Sequence, residues 1–447
     1  MSGFKYVMLE VFEPICLLLA EEYLTYKHPL LSLRDSCKAM RDLLEDMHVV
    51  WATVRLSIPE DDVSRRVLMK LLKGWIARAG EAPLDYLVEY KSQMYHDKDH
   101  QLLRKVFTML CECDWKCVQI YLKLQCESKD SIQLDLRSFT SLKALDLYCS
   151  GTSLVLTCPE ESAISSSSTA CLTKLTELDL GCCIPERIGA LLSLCPNLQR
   201  LSLCNQDTME REVNFSSPIN LDHLTYLQCT SDMYSASASK LFAPKLEEVW
   251  YIDSLADPES TDVFEGFLEW VTPELKILKI YDLENLSGRT AFKKLKSLTE
   301  FQVIESSTSI DFIYLLKEDG EKMALPSVET ISLSSYGDDA HRRTLSEMLA
   351  FRYRYMKKEG KEFEAKITSD DCTLNWFTAD LRGCIIEGFH LIIEIDFGSF
   401  DLEVTALQLA MDQKVIERND DLLEGYLKGK GLELVDLSKY ELFKEYT

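Results

Sequence analysis

The sequence predicts an α/β solenoid, a curved parallel sheet with helices on its convex side, led by a small all-helical segment. Three observations predict it. A six-residue phrase with apolar residues at its first, fourth and sixth positions recurs eight times, allowing conservative swaps. Helical periodicity precedes several copies, and Pro196, Pro244, Pro273 and Pro326 stand just ahead of four of them. The first fifty residues carry no such alternation.

The copies are LKALDL from Leu142, LTELDL from Leu175, LQRLSL from Leu198, LTYLQC from Leu224, LEEVWY from Leu246, LKILKI from Leu275, LTEFQV from Leu298 and VETISL from Val328. Their start-to-start intervals run from 22 to 33 residues. The mean of about 27 falls in the roughly 20–29-residue range of leucine-rich repeats, with a few insertions. The fourth and sixth positions of a strand point to one face and the residues between them to the other. One short strand cannot bury its apolar side alone, so parallel copies stack around a shared core. Ahead of the strands the period becomes helical. "ERIGALLSLC" puts Ile188, Leu191, Leu192 and Cys195 on one face, and "VFEGFLEWV" does so with Phe264, Phe267, Leu268 and Val271. The prolines mark where helix or loop hands over to strand.

Looser turns precede these. Strands are predicted around Val54, Leu56 and Ile58, then Leu84, Tyr86, Val88 and Tyr90, then Val118, Ile120 and Leu122. Between them, Val63, Val67, Leu71, Leu72 and Trp75 form one helical stripe closed by Gly80, and Leu102, Leu103, Val106, Phe107 and Leu110 form another. Past Val328 a helix over 345–356 leads to a strand near 363–367. A helix over 377–386, ended by Gly388, then leads to "HLIIEI". Residues after Phe397 read as helical and polar, ending in "LELVDL" and capping the open sheet edge. The serine-rich segment 162–169 is a loop excursion that lengthens one interval. The predicted organisation is therefore a helical segment over 1–50, a solenoid over 51–397 and a cap or tail over 398–447. Within the solenoid, repeats are loose over 51–135, regular over 136–340 and terminal over 341–397.

The chain has 447 residues, 46% of them apolar, enough for a large core. With 49 Lys+Arg against 73 Asp+Glu, its net charge is −24. That balance repels phosphate backbones and anionic membrane surfaces, so neither nucleic acid nor membrane is an expected partner. Glu10 and Glu13 interrupt the apolar N-terminal run, which reads as neither signal peptide nor spanning helix. Sixteen cysteines without secretory features read as reduced, mostly buried side chains of a cytoplasmic or nuclear protein, leaving the sequons at Asn214 and Asn285 unused.

No constellation argues for catalysis. Cys111, Cys113 and Cys117 lack the paired-knuckle spacing of a zinc site. His96, Asp97, Asp99 and His100 read as a polar loop or helix N-terminus. Cys182 and Cys183 sit at a strand exit, without redox spacing. Nucleotide, hydrolase and metalloprotease fingerprints are missing, so no enzyme, metal or cofactor is expected. The remaining candidate is the strand face away from the core. Its third, fifth and seventh positions offer Tyr148, Tyr226, Trp250, Ile252, Ile277, Lys279 and Tyr281 as a partner-binding face. Tyr226, Trp250, Ile252, Ile277 and Tyr281 are expected to be exposed as one apolar patch, of the kind enriched at hot spots.

"PLLSLRDSCKAMRDLLEDM" reads as one helix with Leu30, Leu33, Cys37, Met40 and Leu44 at helical spacing. With the following "HVVWATVRL" it resembles the second half of the F-box of fungal F-box proteins with leucine-rich repeats. Ser36, Cys37, Lys38 and Met40 match the helix core, and Val50, Trp51 and Val54 the segment after it. Trp75, Arg78, Gly80, Pro83 and Leu84 are similar to that family's next helix end and strand. "CPNLQRLSL" is similar to its repeat units and "LRGCIIEGFHLIIEI" to its last helix–strand pair. The likeness spans residues 5–396. It implies the substrate-recognition subunit of a cullin-type ubiquitin ligase. An adaptor subunit, and through it a cullin, would be held by Met8, Leu9, Val11, Phe12, Leu33, Cys37 and Met40, and a client protein by the repeat face. Where the family opens its box with Leu-Pro-x-Glu, this chain has "FKYVMLEVF". That departure implies either a start upstream or a decayed box. In the latter case the chain is a non-ligase protein-binding scaffold.

Overall fold

The computed structural model describes residues 12–405, apart from 26, 60, 93–96, 125–130, 136–140, 151–152, 158–171, 182–187, 205–217, 232–239, 254–259, 272–273, 282–291, 293, 305–312, 314–315, 317–324, 335–338, 370–376 and 397–400. The chain divides into two compact units, Met1–Tyr281 and Asp282–Thr447.

The first unit opens with helix α1 over 12–20, then α2 (Pro29–Ser36), α3 (Lys38–Glu45) and α4 (His48–Trp51). Strand and helix then alternate as β1 (Thr53–Ser57), α5 (Asp62–Ala79), β2 (Leu84–Ser92), α6 (Asp97–Cys111) and β3 (Trp115–Leu124). Next come β4 (Ser131–Asp135), β5 (Ala144–Ser150), β6 (Ser153–Thr157), β7 (Glu177–Gly181), α7 (Ile188–Ser193), β8 (Arg200–Leu203) and β9 (Ile219–Asn220). The unit ends with β10 (Tyr226–Thr230), β11 (Leu241–Phe242), β12 (Glu248–Ile252), α8 (Ser260–Trp270) and β13 (Ile277–Tyr281). Its main sheet runs β1-β2-β3-β5-β7-β8-β10-β12-β13 with every neighbour pair parallel. Two short parallel pairs, β4–β6 and β9–β11, stand outside it.

The second unit holds β14 (Glu300–Ile304), β15 (Thr330–Ser334), α9 (Asp339–Lys358), β16 (Glu364–Ser369), α10 (Ala379–Ile386), β17 (His390–Asp396) and β18 (Asp401–Thr405). β14 through β17 pair in parallel, and β18 returns antiparallel to β17. The chain is thus an α/β protein with a large parallel sheet, as expected.

The repeated phrase acts through register. Val118, Leu145, Leu178, Leu201, Leu227, Val249 and Leu278 are successive partners across seven strands, and each is buried. In the second unit Phe301, Ile331, Ala365 and Leu391 do the same. A parallel sheet needs a connection at each return, and five of these returns end in the same tight turn. The N–H of the phrase's first residue donates to the carbonyl three residues back: Leu175 to Leu172, Leu198 to Cys195, Leu224 to Leu221, Leu246 to Ala243 and Val328 to Leu325. Pro196, Pro244 and Pro326 occupy the second position of three of these turns. Their fixed φ suits that position, and no N–H is lost from the ladder. The prolines therefore shape the entry turn rather than only ending a helix; Pro273 lies outside the described residues. The second residue of a phrase also bonds to its counterpart one repeat earlier, as in Gln199 N–H to Thr176 O (2.8 Å) and Thr225 N–H to Gln199 O (2.9 Å).

Helices close the apolar side. Tyr251 of β12 meets Phe264 and Phe267 of α8 with ring centroids 5.0 and 4.8 Å apart. Trp75 of α5 donates its indole N–H to Thr53 O (2.9 Å) and packs edge-on against Trp51 and His28. Gly80 ends α5 at φ 61 and Gly388 follows α10 at φ 103, positive φ values that suit glycine at the two helix ends where the sequence reading places them.

Three expectations are corrected. The helix over Leu30–Leu44 is two, because Cys37 is extended (φ −158, ψ 164). Ser36 bonds its hydroxyl to Leu33 O (2.6 Å), a local alternative to continued helix. On α5 the buried stripe is Leu68, Leu72, Trp75 and Ala79, whereas Val63 and Val67 face solvent. Residues 401–405 are strand, not helix: β18 pairs along the edge that β17 would otherwise leave open, with Leu402 opposite Ile395. The serine-rich segment, residues 406–447 with "LELVDL", and Cys182–Cys183 lie outside the described residues. Among the described residues no helix is long and apolar enough to cross a membrane.

Candidate functional site

The sheet face away from the helices is built by strand alternation. In β7, β12 and β13, buried residues alternate with half-buried or exposed ones. Register then sets Arg200, Tyr226, Glu248 and Ile277 in one row, and Asp146, Asp179, Ser202, Gln228, Trp250 and Lys279 in the next.

Over β8 to β13 this face is a ladder of rings and cations. Arg200 places its guanidinium carbon 3.9 Å from the Tyr226 ring centroid. Tyr226 meets the Trp250 ring edge-on at 5.9 Å, and Trp250 lies 5.7 Å from Tyr281. Lys279 Nζ stands 4.4 Å from the Trp250 ring and 3.8 Å from Glu248 Oε1, which also accepts the Trp250 indole N–H (2.7 Å). These contacts revise the expected exposure. Tyr226 is buried, at 7% exposure, under Arg200 and Trp250, with its hydroxyl donated to Gln228 Oε1 (2.8 Å). Trp250, Ile252, Ile277, Lys279 and Tyr281 are half-buried rather than exposed. Tyr148 is half-buried too and lies against Gly181, where an added Cβ would come within 3.1 Å of its ring. Ser202 and Cys204, on the same face by sequence, are buried.

Over β3 to β7 the face is acidic. Asp146 and Asp179 are direct partners on adjacent strands. Burial lifts the pKa of both above the usual carboxylate range, and the Asp146 charge lifts Asp179 further. Neutral donors hold them: the Tyr121 hydroxyl on Asp146, and the Ser202 hydroxyl and Gly181 N–H on Asp179. Among the described residues neither forms an ion pair. Burial and the Asp146 contact also raise the Tyr121 hydroxyl, and burial pushes the Cys117 thiol up to about 11.

The N-terminal candidates are scattered. Met8, Leu9 and Val11 lie outside the described residues. Phe12 on α1, Leu33 on α2 and Met40 on α3 are half-buried, and Cys37 is exposed at the break between α2 and α3. Other side chains there are more open: Ile15 (46%), Leu18 (74%) and Tyr23 (39%) by α1, Val49 (57%) on α4, Val63 (73%) and Val67 (39%) on α5. Of the seven large apolar side chains exposed among the described residues, only Phe242 lies outside this region. The sequence reading did not single out these six as a surface. Nor did it single out Asp146 and Asp179, although both occupy the fifth position of their phrases.

Among the described residues no group of three acidic, histidine or cysteine side chains is arranged to hold a metal ion. Asp97 begins α6, as the helix-N-terminus reading of that polar cluster has it; the side chains of residues 96–100 lie outside the description. Compared with protein-family models and with curated proteins, the chain matches none.

Proposed function

We propose that this chain is a leucine-rich-repeat substrate receptor of a cullin-type ubiquitin ligase, its N-terminal helices docking on the adaptor subunit and its strand face holding a client protein. The concentration of exposed apolar side chains at residues 15–67 carries the reading. Six of the seven large apolar side chains exposed among the described residues fall in this one N-terminal stretch, which supports a protein-docking role for it. The in-register leucine rungs support a rigid repeat body, and the stacked rings of β8 to β13 support a protein-binding face. The chain itself catalyses nothing in this reading; it raises the effective concentration of client beside the ligase.

The test uses point changes, because α1–α4 also pack on the repeats. Ile15→Glu with Leu18→Glu adds charge at two exposed positions and is expected to leave the melting temperature within about 2 °C, as surface substitutions cost little. Co-purification with the adaptor should fall at least tenfold. A wild-type chain that never co-purifies with adaptor overturns the ligase reading. The scaffold alternative draws its support from "FKYVMLEVF" and from the helix break at Cys37. It predicts client capture through the strand face with no adaptor.

A further inference from the structure

The strand face has two unlike halves, and their difference names what should lie on it. Over β8 to β13 the charges are already answered: Lys279 by Glu248 and the Trp250 ring, Arg200 by the Tyr226 ring. What that half offers a partner is aromatic surface. Over β5 and β7, Asp146 and Asp179 stand side by side, held among the described residues by hydroxyl and amide donors and by no cation. Two neighbouring, partly desolvated carboxylates repel each other and gain strongly from one positive group placed across both. The Tyr148 ring beside them adds a face on which such a group can rest.

We infer that this face binds an extended segment of a partner protein. A lysine or arginine of the segment seats on Asp146 and Asp179, and a large apolar side chain on Trp250. The inference rests on the client-binding role proposed for this face and deepens it. Geometry also fixes the spacing. Asp179 and Trp250 belong to β7 and β12, which are separated by three steps through β8 and β10. At roughly 4.8 Å per strand that is about 14 Å. An extended chain covers it in about four residues at roughly 3.3 Å each, and side chains four apart point the same way. The motif is therefore a basic residue followed or preceded, at the fourth position along, by a large apolar one.

The experiment uses fluorescein-labelled nonapeptide pools with one fixed arginine, one fixed leucine two, three, four or five positions away in either order, and all other positions randomised. Binding to the full chain is read by fluorescence anisotropy. The spacing of four should bind at least fivefold more tightly than the others, in one order. Replacing the fixed arginine by glutamine should cost at least fivefold. The double variant Asp146→Asn with Asp179→Asn should abolish that arginine preference. Trp250→Ala should abolish the leucine preference and keep the arginine one. Because an acidic protein attracts any cationic peptide, Glu359→Gln with Glu362→Gln serves as a charge-matched control, both residues being exposed in the second unit. Equal binding of the arginine and glutamine pools overturns the inference, as does an equal loss in the control variant. Circular dichroism confirms that each variant is folded, and Asp179→Asn alone provides a second, milder probe. No adaptor enters the assay, so failure here leaves the N-terminal docking reading standing, and failed co-purification leaves a positive peptide result standing.

Discussion

Arg352 offers the sharpest test of how the second unit is held. Its side chain is fully buried on α9 and donates to two backbone carbonyls, Leu316 O at 3.0 Å and Leu325 O at 2.7 Å. The guanidinium also lies 5.9 Å from the Phe363 ring, and burial pulls its pKa down to about 10. One planar fork thus ties α9 to the stretch leading into β15. Arg352→Ala takes one donor from each carbonyl. Leu325 O keeps the Val328 N–H, so its lost bond costs about 1 kcal/mol. Leu316 O loses its guanidinium donor at roughly 1–3 kcal/mol, and a cavity opens. Relief of guanidinium desolvation offsets part of that. The expected loss is about 3–5 kcal/mol. Arg352→Lys keeps the charge but replaces the fork by a point donor, so one of the two bonds is lost, at about 1–3 kcal/mol. Urea unfolding followed by far-ultraviolet circular dichroism measures both variants. Hydrogen exchange should show the Val328 amide, bonded to Leu325 O at 3.2 Å, losing protection first. A loss below about 1 kcal/mol for Arg352→Ala would refute the reasoning.

Other expectations follow from the same contacts. Leu201→Ala removes a side chain at 0% exposure seated between Leu178 and Leu227, and should cost about 3 kcal/mol in urea unfolding. A Leu201→Ala loss under 1 kcal/mol would argue against a shared interior. Asp146 and Asp179 have folded pKa values above their unfolded ones, so they favour the fold while protonated and that contribution fades as pH rises through the folded values. Asp146→Asn with Asp179→Asn should therefore raise the melting temperature at pH 7.5 and hardly change it at pH 4. An equal rise at both pH values would contradict this. Cys37 is exposed, whereas the Cys117 thiol is held at about 11. N-ethylmaleimide at pH 7, read by mass spectrometry, should modify Cys37 well before Cys117.

The leucines were readable because their positions repeat and every rung obeys the same alternation, so Leu145, Leu178, Leu201 and Leu278 reach neighbouring strands. Period alone could not report the local backbone, and this hid the break at Cys37, which is extended between α2 and α3. It also misled on α5. Val63 and Leu68 both fit a helical stripe, and only tertiary packing selects Leu68. Tyr226 was assigned to the right face yet is covered by Arg200 and Trp250 from the strands on either side. Such cross-strand contacts depend on register, which one strand's sequence does not carry. β4, β6, β9 and β11 are short pairs outside the repeated phrase and left no periodic trace.

The stretch just after α1 has a role that outlasts any docking partner. Leu24 N–H donates to Arg55 O at 2.7 Å, and Glu21 meets the Arg55 guanidinium at 2.6 Å. This lays the chain along the outer margin of β1. A protease cut that released residues before His28 would bare that margin as an unsatisfied backbone row, a ready template for strand addition by a second molecule. The nicked protein should then be the form that multimerises, with the intact one remaining dispersed.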